Sequence, residues 1–242
     1  MAQKQTGKTV VLTGCTRGIG RALAERFAAD GHTVCGCGRS EDGLNELRAA
    51  LRGRHSFTRV DVTREDDVDK WADAVFRDAG VPDILIHNAG LINDAAPLWD
   101  VPAGRCNAVI AVSAGGAAAL ARHFLPRMID AAKADGKCRT VVNLSSGWGR
   151  SADAGVAPYN AAKFGVEGLT KALAKDLEKA APGLFCAVPF SPGVVETDMT
   201  RGNWGDDAGK FPGPADFADR AVPFLLSLTP DRTGESVTVP GG

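Results

Sequence analysis

Short runs of β-branched and other apolar residues alternate along the chain with longer stretches in which apolar residues recur every three or four positions. The short runs predict buried strands, and the longer stretches predict amphipathic helices. Strands are predicted at 8–14, 32–38, 56–62, 82–90, 139–146, 184–193 and 235–242, and helices at 18–31, 41–53, 64–80, 105–130, 158–180 and 215–228.

This alternation predicts an α/β fold in which a seven-stranded parallel sheet carries helices on both faces, the Rossmann-type doubly wound arrangement. No Pro/Ser-rich linker, internal repeat or low-complexity tract divides the chain, so residues 1–242 are expected to form a single domain. Residues 194–214 break the pattern because they are rich in Gly and Asp but carry a few bulky side chains. We expect this stretch to form a lid over a substrate.

Composition and charge are those of an ordinary soluble globular protein. The 242 residues are 44% apolar and 24% charged, and 28 Lys and Arg against 29 Asp and Glu give a net charge of −1. This balance predicts neither a nucleic-acid partner nor a membrane-surface partner. The polar N-terminus lacks the apolar core of a secretory signal, and no apolar run approaches the ~18 residues that a membrane span needs.

The six cysteines are scattered, without a CxxC pair or a Cys/His cluster. Cys35 and Cys37 lie on the same side of a predicted strand but have no further candidate ligands nearby. Reduced thiols are therefore expected rather than a metal site or disulfides, which favours a cytoplasmic protein.

The candidate functional segments TGCTRGIG, HNAG, NLSS and SPG all fall where a predicted strand ends. Ligands of doubly wound sheets bind outside the carboxyl ends of the strands, so these segments are expected to meet at one site. In the first segment, Gly14, Gly18 and Gly20 permit a tight turn and close approach of a pyrophosphate to a helix N-terminus. The alternative is a plain turn between packed elements.

The end of the second predicted strand discriminates between nicotinamide cofactors. NAD-binding folds place an Asp or Glu there for the ribose hydroxyls, whereas this chain has Gly38 followed by Arg39 and Ser40. Arg39 and the loop residue Arg17 could pair with a 2′-phosphate, and Ser40 could donate to it. We therefore expect NADP(H) in preference to NAD(H), although either arginine could instead be a solvated surface charge.

Tyr159 is the only tyrosine in the chain, and Lys163 follows it on the same face of a predicted helix. At ~4 Å and an effective dielectric constant of ~20, an ammonium stabilises a phenolate by about 4 kcal/mol. That attraction could lower the pKa of the tyrosine by about three units, into the range of acid–base catalysis. Ser146 ends the preceding strand and could hydrogen-bond a substrate carbonyl oxygen while Tyr159 donates the proton.

Together, TGxxxGxG at 13–20, NAG at 88–90, Ser146, YxxxK at 159–163 and PG at 192–193 resemble the motifs of the short-chain dehydrogenase/reductase family. The resemblance covers essentially the whole chain, and the motifs keep the family's order and spacing. It implies an oxidoreductase in which Tyr159 is the acid/base and Ser146 orients the carbonyl. Lys163 would lower the pKa of the tyrosine and bind the nicotinamide ribose.

The resemblance also implies which residues hold the cofactor. Asp61 and Val62 would contact the adenine, and Val195 and Thr197 would meet the nicotinamide carboxamide. The full implied set is Gly14, Thr16, Arg17, Gly18, Ile19, Gly20, Arg39, Ser40, Asp61, Val62, Asn88, Ala89, Gly90, Tyr159, Lys163, Pro192, Gly193, Val195 and Thr197.

One departure from the family pattern concerns the proton relay behind the lysine. The family has an asparagine in the middle of its fourth helix, where it holds a water in that relay. Aligning on Gly116 and on LPRM (125–128) puts Ser113 at this position, while Asn107 faces a different side of the helix. We therefore add Ser113 to the catalytic residues, as a substitute that alters the helix kink or slows the relay.

The substrate pocket is expected between the segment after Ser146 and the lid. Its candidate residues are Trp148, Met199 and Trp204, and large apolar groups there favour an apolar or aromatic carbonyl substrate. These side chains could instead pack the lid onto the body or onto a neighbouring subunit. Arg150 could contact an acidic group of the substrate or lie at the surface.

The family commonly forms tetramers through its fourth and fifth helices. The fifth predicted helix carries apolar residues beyond one stripe, at Phe164, Val166, Leu169 and Leu173. The resemblance therefore implies a homotetramer, with a dimer as the alternative.

The sequence thus predicts NADP(H)-dependent hydride transfer between nicotinamide and a carbonyl/secondary alcohol pair, as in a carbonyl reductase. Reduction of 3-oxoacyl chains on acyl carrier protein is a specific alternative, which needs a basic patch near the cleft mouth. A cofactor-binding sensor or scaffold with little turnover is an alternative of another class, favoured by Ser113 alone and opposed by the intact Ser146, Tyr159 and Lys163. Dehydration or epimerisation with a tightly held cofactor is the remaining enzymatic alternative.

Overall fold

The fold is given by a computed structural model that describes residues 7–241, apart from the side chains of residues 203 and 204. The strands are β1 (Thr9–Thr13), β2 (Thr33–Gly38), β3 (Ser56–Arg59), β4 (Ile84–His87), β5 (Arg139–Leu144), β6 (Phe185–Ser191) and β7 (Val237–Thr238). The helices are α1 (Gly18–Ala29), α2 (Glu41–Ala50), α3 (Glu65–Asp78), α4 (Ala103–Ile110), α5 (Gly116–Asp135), α6 (Ala157–Ala180), α7 (Asp198–Trp204) and α8 (Pro214–Leu226).

Over the described residues, seven strands pair in parallel in the order β3-β2-β1-β4-β5-β6-β7. The strand order reverses between β1 and β4, and this reversal opens a crevice at the carboxyl edge of the sheet. The doubly wound, seven-stranded prediction is therefore confirmed, and the crevice lies where the candidate segments end.

Hydrophobic layers cover both faces of the sheet. Val10 and Leu12 of β1 pack in the layer formed with α1, α2 and α8, whereas Val11 packs in the layer with α3, α5 and α6. Because helices cover both faces, every residue of β5 and β6 is buried, and such strands need no alternating pattern. Cys35 and Cys37 enter the same layer, as their spacing predicts.

The strands are shorter than predicted, by three residues at the end of β4, which stops at His87 rather than at residue 90, and similarly at β3 and β7. β3 ends at Arg59 rather than at residue 62, because Asp61 turns the chain towards α3. The Asp61 carboxylate accepts hydrogen bonds from the backbone N–H and the hydroxyl of Thr63 at 3.0 and 2.7 Å. β7 is limited to Val237–Thr238, so the predicted closing strand is much shorter than its apolar pattern indicates.

The lid segment 194–214 is more regular than its Gly/Asp-rich composition indicates, because it contains α7. Thr197 and Thr200 start this helix with a capping box, in which each side chain accepts a hydrogen bond from the backbone N–H of the other. The segment predicted to be a lid therefore contains a helix with a defined first turn.

A π-helical turn, Ala111–Gly115, joins α4 to α5 in one continuous run of 33 residues, Ala103–Asp135. The most apolar 18-residue window of this run has a mean hydropathy of 1.5, so by length and composition alone it could cross a membrane. The expectation that no apolar run approaches this length is therefore wrong. Half of the window is buried inside the protein, and core helices of globular proteins meet the same test.

Gly116 lets this helical run pass close to the sheet. A Cβ at position 116 would lie 2.8 Å from Cε1 of His87 and 3.0 Å from Cγ2 of Val62. A Cβ at the adjacent Gly115 would meet nothing within 4 Å. An added methyl group would therefore clash at position 116 but not at position 115, so the second position can serve as a control for the first.

We expect Gly116→Ala to lower the free energy of unfolding by about 1–3 kcal/mol, because the added methyl group overpacks the site of His87. Gly115→Ala is the control, and it should leave stability unchanged or raise it by up to about 1 kcal/mol through helix propensity. Denaturant unfolding of both variants measures the difference. Equal effects of the two substitutions would contradict the close packing at Gly116.

Candidate active site

The candidate segments converge on a cleft of about 550 Å³ at the carboxyl edge of the sheet. Most residues predicted to bind the cofactor or substrate lie in its wall. They are Gly14, Thr16, Arg17, Gly18, Ile19, Gly20, Arg39, Ser40, Asp61, Val62, Asn88, Ala89, Gly90, Tyr159, Lys163, Pro192, Thr197 and Met199.

The glycine loop between β1 and α1 leaves no room for side chains. Gly14 and Gly18 have φ of 68° and 53°, in the left-handed region that favours glycine. A Cβ on Gly20 would lie only 2.1 Å from the carbonyl oxygen of Gly14. At the start of α1, Arg17 makes no side-chain capping hydrogen bond, and the first residues of the helix, Gly18 to Gly20, line the cleft. This cradle fits a pyrophosphate.

The loop is tied to the NAG segment through Thr13 and Asn88. The Thr13 hydroxyl accepts hydrogen bonds from the backbone N–H groups of Asn88 and Ala89, both at 3.0 Å. The Asn88 side chain donates in return to the carbonyls of Thr13 and Gly14 at 2.9 and 3.0 Å. Asn88 therefore fixes the cleft wall from behind.

His87 connects this wall to the π-helical turn. Because Thr13 Oγ1 already accepts two N–H groups, its own proton points to Nδ1 of His87, 3.0 Å away. Nε2 of His87 then donates to the carbonyls of Val112 and Ser113 at 3.1 and 3.0 Å. Burial, with a further contribution from the charge of Lys163, lowers the pKa of His87 to about 4. The imidazole is thus neutral, with its proton on Nε2.

Ser113 lies in the π-helical turn as the alignment predicts, fully buried, while Asn107 is exposed. The Ser113 hydroxyl has no hydrogen-bond partner among the described residues, and Ser113 does not line the cleft. The contact that the structure does show is the one between its carbonyl and His87. Ser113 is therefore connected to the site through its main-chain carbonyl, which bonds His87.

Tyr159 and Lys163 follow one another on α6 and face the cleft, and both are more than nine-tenths buried. The Lys163 ammonium donates to the carbonyl of Leu144 at 2.7 Å and lies 5.5 Å from the centre of the Tyr159 ring. Ser146 lies beside Tyr159, close enough to influence the pKa of its phenol, and the Ser146 hydroxyl accepts the N–H of Trp148 at 3.2 Å. The structure thus brings the three predicted catalytic groups together.

The effect of Lys163 on Tyr159 differs from the expected one. Burial raises the pKa of Tyr159, and the hydrogen bond to Ser146 acts in the opposite direction. Burial also lowers the pKa of Lys163 to about 8. In the protein itself the pKa of Tyr159 is therefore raised rather than lowered, because burial is the dominant influence on it.

Some residues predicted to bind the cofactor or substrate lie outside the cleft wall. The Val195 side chain is buried in the core layer beneath the lid, where its carbonyl accepts a hydrogen bond from Thr200 at 2.9 Å. Gly193 turns the chain with φ of 69° and does not line the cleft. A carboxamide contact from Val195 would therefore have to come from its main-chain atoms, whereas Thr197 lies in the cleft wall.

The predicted substrate residues are only partly placed. Trp148 is half-buried outside the cleft wall and packs edge-on against Tyr159, with ring centres 6.1 Å apart and planes at 84°. Met199 lines the cleft from α7. The side chain of Trp204 lies outside the described residues, so its predicted role stays a prediction.

The arginines of the cleft wall lie after β2 and at the start of α1, opposite α7. Arg39 and Ser40 follow β2, and the Ser40 hydroxyl also caps α2 by accepting the N–H of Gly43 at 3.2 Å. Arg17 lies 3.8 Å from Asp198 of α7, with both side chains more than 70% exposed. An exposed pair of this kind contributes little to stability, so Arg17 is available to an anionic ligand.

Sequence reasoning missed three residues that support the site. Thr13 and His87 are the first residues of the segments TGCTRGIG and HNAG, and a histidine at the end of an apolar strand was the available signal. Glu167 continues the spacing of Tyr159 and Lys163 by four residues, and that periodicity was also visible in the sequence. Its carboxylate is bonded to Arg150 at 2.8 Å, so Arg150 is neither a free surface charge nor directed at a substrate.

A family model described as short chain dehydrogenase matches residues 8–208. An NADPH-dependent pterin aldehyde reductase of Arabidopsis thaliana is 38% identical over 234 residues, covering 96% of this chain and 93% of the relative. A 3-oxoacyl-[acyl-carrier-protein] reductase of Escherichia coli is 32% identical over 246 residues, covering 98% of this chain and 97% of the relative.

Among solved structures, a 3-ketoacyl-(acyl-carrier-protein) reductase of Brucella melitensis complexed with NADH superposes with a TM-score of 0.88. It is 26% identical in sequence, and the match covers 98% of each chain. Fold, site geometry and sequence similarity agree over nearly the whole length, and the chain belongs to the short-chain dehydrogenase family of oxidoreductases.

Proposed function

We propose that the protein is an NADP(H)-dependent carbonyl reductase whose acid/base is Tyr159. The observation that carries this proposal is the placement of Tyr159 and Lys163 in the wall of the glycine-loop cleft, with Ser146 beside Tyr159. A nicotinamide cofactor bound there supplies a hydride to the substrate carbon. The protein's own part is to bind both reactants, orient the carbonyl and deliver one proton.

The state of Tyr159 suits reduction. Because burial raises its pKa, the phenol is protonated at neutral pH and can donate to a carbonyl oxygen. Ser146 can donate a second hydrogen bond to the same oxygen, which stabilises the charge that develops there. The Lys163 ammonium, held by Leu144, has protons left for the nicotinamide ribose and for restoring the proton of Tyr159.

NADP(H) is the cofactor that the adenine end of the cleft favours. β2 ends at Gly38 without a carboxylate for ribose hydroxyls, and Arg39, Ser40 and Arg17 line the cleft nearby. Arginine binds phosphate through parallel charge-assisted hydrogen bonds. The name of the relative from Arabidopsis thaliana states NADPH dependence, which supports this assignment, whereas the structural neighbour was solved with NADH.

A planar aromatic aldehyde is the substrate class that the site favours. The indole of Trp148 stands edge-on beside Tyr159, and Met199 adds a polarisable apolar wall. The similarity to a pterin aldehyde reductase supports the same class, because a pterin is a flat aromatic ring system.

Reduction of 3-oxoacyl chains on acyl carrier protein is the second candidate, and the relative from Escherichia coli supports it. This activity needs basic groups free to meet an acidic carrier protein. Two arginines on the substrate side are instead engaged, Arg201 with Glu196 at 2.9 Å and Arg150 with Glu167 at 2.8 Å. The pairing favours a free small molecule as substrate.

The lid, the assembly and the location in the cell belong to the same proposal. Segment 194–214, through α7, is the lid that closes on the substrate. Ile110 of α4 and Phe164 of α6 are 39% and 47% exposed, and such apolar exposure supports a homotetramer, or a dimer, formed through these helices. All six cysteines are free thiols, which supports the reducing cytoplasm.

The main test follows NADPH oxidation with ketones, aromatic aldehydes including a pterin aldehyde, and 3-oxoacyl thioesters. We expect aromatic aldehydes to be the best substrates and Tyr159→Phe to lower kcat by at least about 100-fold, because the proton donor is lost. NADPH binding by the variant, measured by fluorescence, should be unchanged and serves as the folding control. Wild-type turnover in Tyr159→Phe would show that this residue is not the acid.

The cofactor assignment predicts that Arg39→Ala lowers kcat/KM for NADPH by about 10- to 100-fold, the value of one or two charge-assisted hydrogen bonds. The value for NADH should stay nearly constant, because NADH has no 2′-phosphate. Arg54→Ala is the matched control, since Arg54 is exposed and lies outside the cleft wall. A wild-type preference for NADH would overturn the assignment.

The low pKa of Lys163, about 8, predicts a pH dependence. Its ammonium is present below that value and lost as the pH rises through it, so kcat/KM for NADPH should decline above about pH 8. Lys175→Met, which removes an exposed lysine of the same helix, should keep the wild-type profile. A flat profile through this range would show that Lys163 titrates elsewhere or that its charge is not needed.

A further inference from the structure

Tyr159 and Lys163 begin a stripe along α6 whose third member is Glu167. The Glu167 side chain is only 6% exposed, and a carboxylate is rarely buried so deeply unless it is paired. The motifs of the reaction do not require an acid at this position. The burial of Glu167 therefore points to partners outside the motif set.

Glu167 is bonded from separate segments of the chain. Nε of Arg150 donates to Oε1 at 2.8 Å, the hydroxyl of Ser236 donates to Oε2, and the hydroxyl of Ser145 is a further donor. Burial alone would raise the pKa of Glu167, but these bonds outweigh burial and hold the pKa below its ordinary value. The charged carboxylate thus joins the residues just after β5, the turn that follows them and the residue before β7.

The other nitrogens of Arg150 are also engaged. Nη1 donates to Oγ1 of Thr238 at 2.9 Å, and Nη2 donates to the carbonyl of Val237 at 2.8 Å. The carbonyl of Pro189, 3.4 Å from Nη2, is a fourth partner beside Glu167, Thr238 and Val237. Four partners around a planar guanidinium fix its orientation more firmly than one ion pair does.

The short turn Gly147–Gly149, between Ser146 and Arg150, packs directly on α6. Gly149 is buried, and a Cβ there would lie 2.7 Å from Oγ of Ser145 and 2.9 Å from the carbonyl oxygen of Lys163. At its beginning, Ser146 lies beside Tyr159, close enough to influence the pKa of its phenol. The turn that carries the catalytic serine is therefore fastened to the same helix at both ends.

We propose that Arg150 and Glu167 are positioning residues, which close a ring of contacts around the catalytic groups and hold Ser146 at its distance from Tyr159. The ring runs from Ser146 through the turn to Arg150, across to Glu167, and back along one face of α6 through Lys163 to Tyr159. This inference rests on the proposed function, because the spacing of serine and tyrosine matters only if both meet one carbonyl oxygen. Displacement by about 1 Å can cost a reaction of this kind two orders of magnitude.

The test compares Arg150→Ala and Glu167→Gln with Lys171→Ala, which removes an exposed lysine 3.6 Å from the same carboxylate. Reduction of a pterin aldehyde by NADPH, and oxidation of the corresponding alcohol by NADP⁺, are followed in each variant. We expect kcat to fall about 10- to 100-fold in Arg150→Ala, less in Glu167→Gln, which keeps an acceptor oxygen, and not at all in the control. KM for NADPH should stay constant, because neither residue lines the cleft.

The pH profile and chemical rescue separate positioning from stability. The bond from Ser146 favours the deprotonated form of Tyr159, so its loss should move the rise of kcat for alcohol oxidation to higher pH. Guanidinium ion added to Arg150→Ala should restore part of kcat and move the profile back. A lower unfolding midpoint with wild-type kcat and wild-type pH profile would overturn the proposal, because the pair would then only hold β7.

Failure of this inference is distinguishable from failure of the proposed function. If the wild type reduces the aldehyde and Tyr159→Phe does not, the function stands whatever Arg150→Ala does. If neither the wild type nor any variant turns over a carbonyl, the proposed function is wrong, and the inference that rests on it is wrong as well. Should Arg150→Ala lose NADPH binding through misfolding, Glu167→Gln and its pH profile decide the question.

Discussion

The buried ammonium of Lys163 is the interaction around which the cleft is arranged. Taking an ammonium out of water costs several kcal/mol unless hydrogen bonds and charges compensate, and the carbonyl of Leu144 at 2.7 Å is the partner that the end of β5 supplies. Gly90 places no side chain where a Cβ would lie 3.7 Å from the ammonium. The main chain at the ends of β4 and β5 therefore fixes the position of the ammonium. The ammonium in turn favours the binding of ligand oxygens beside it.

A buried positive charge also disfavours a second positive charge nearby, and His87 is accordingly neutral. Its pKa of about 4 and its bonds to Thr13, Val112 and Ser113 keep it uncharged in a single tautomer. The same bonds hold the carbonyls of the π-helical turn towards the sheet. The turn that carries Ser113 is thus held to the sheet by the imidazole through its backbone.

Much of the fold and cleft follows from sequence because strand period, helix period and glycine positions are local signals. The same signals cannot tell which way a side chain faces after a turn, so Val195 was assigned to the cofactor although it packs in the core. They also cannot weigh burial by distant elements, so the pKa of Tyr159 was expected to fall although it rises. Arg150 found its partner, Glu167, seventeen residues along the chain, and no local pattern encodes that pairing.

The cost of desolvation also separates an enzyme from a sensor that only holds the cofactor. A dinucleotide can be bound by the glycine loop, the helix N-terminus and exposed arginines, none of which requires a buried ammonium. Burial of Lys163 beside Tyr159 lowers the stability of the charged form without adding a phosphate contact. It does, however, keep a protonated phenol and a proton reserve side by side, out of bulk water. A role in proton transfer explains why the ammonium is buried at a cost in free energy, whereas binding of the phosphates does not require that burial.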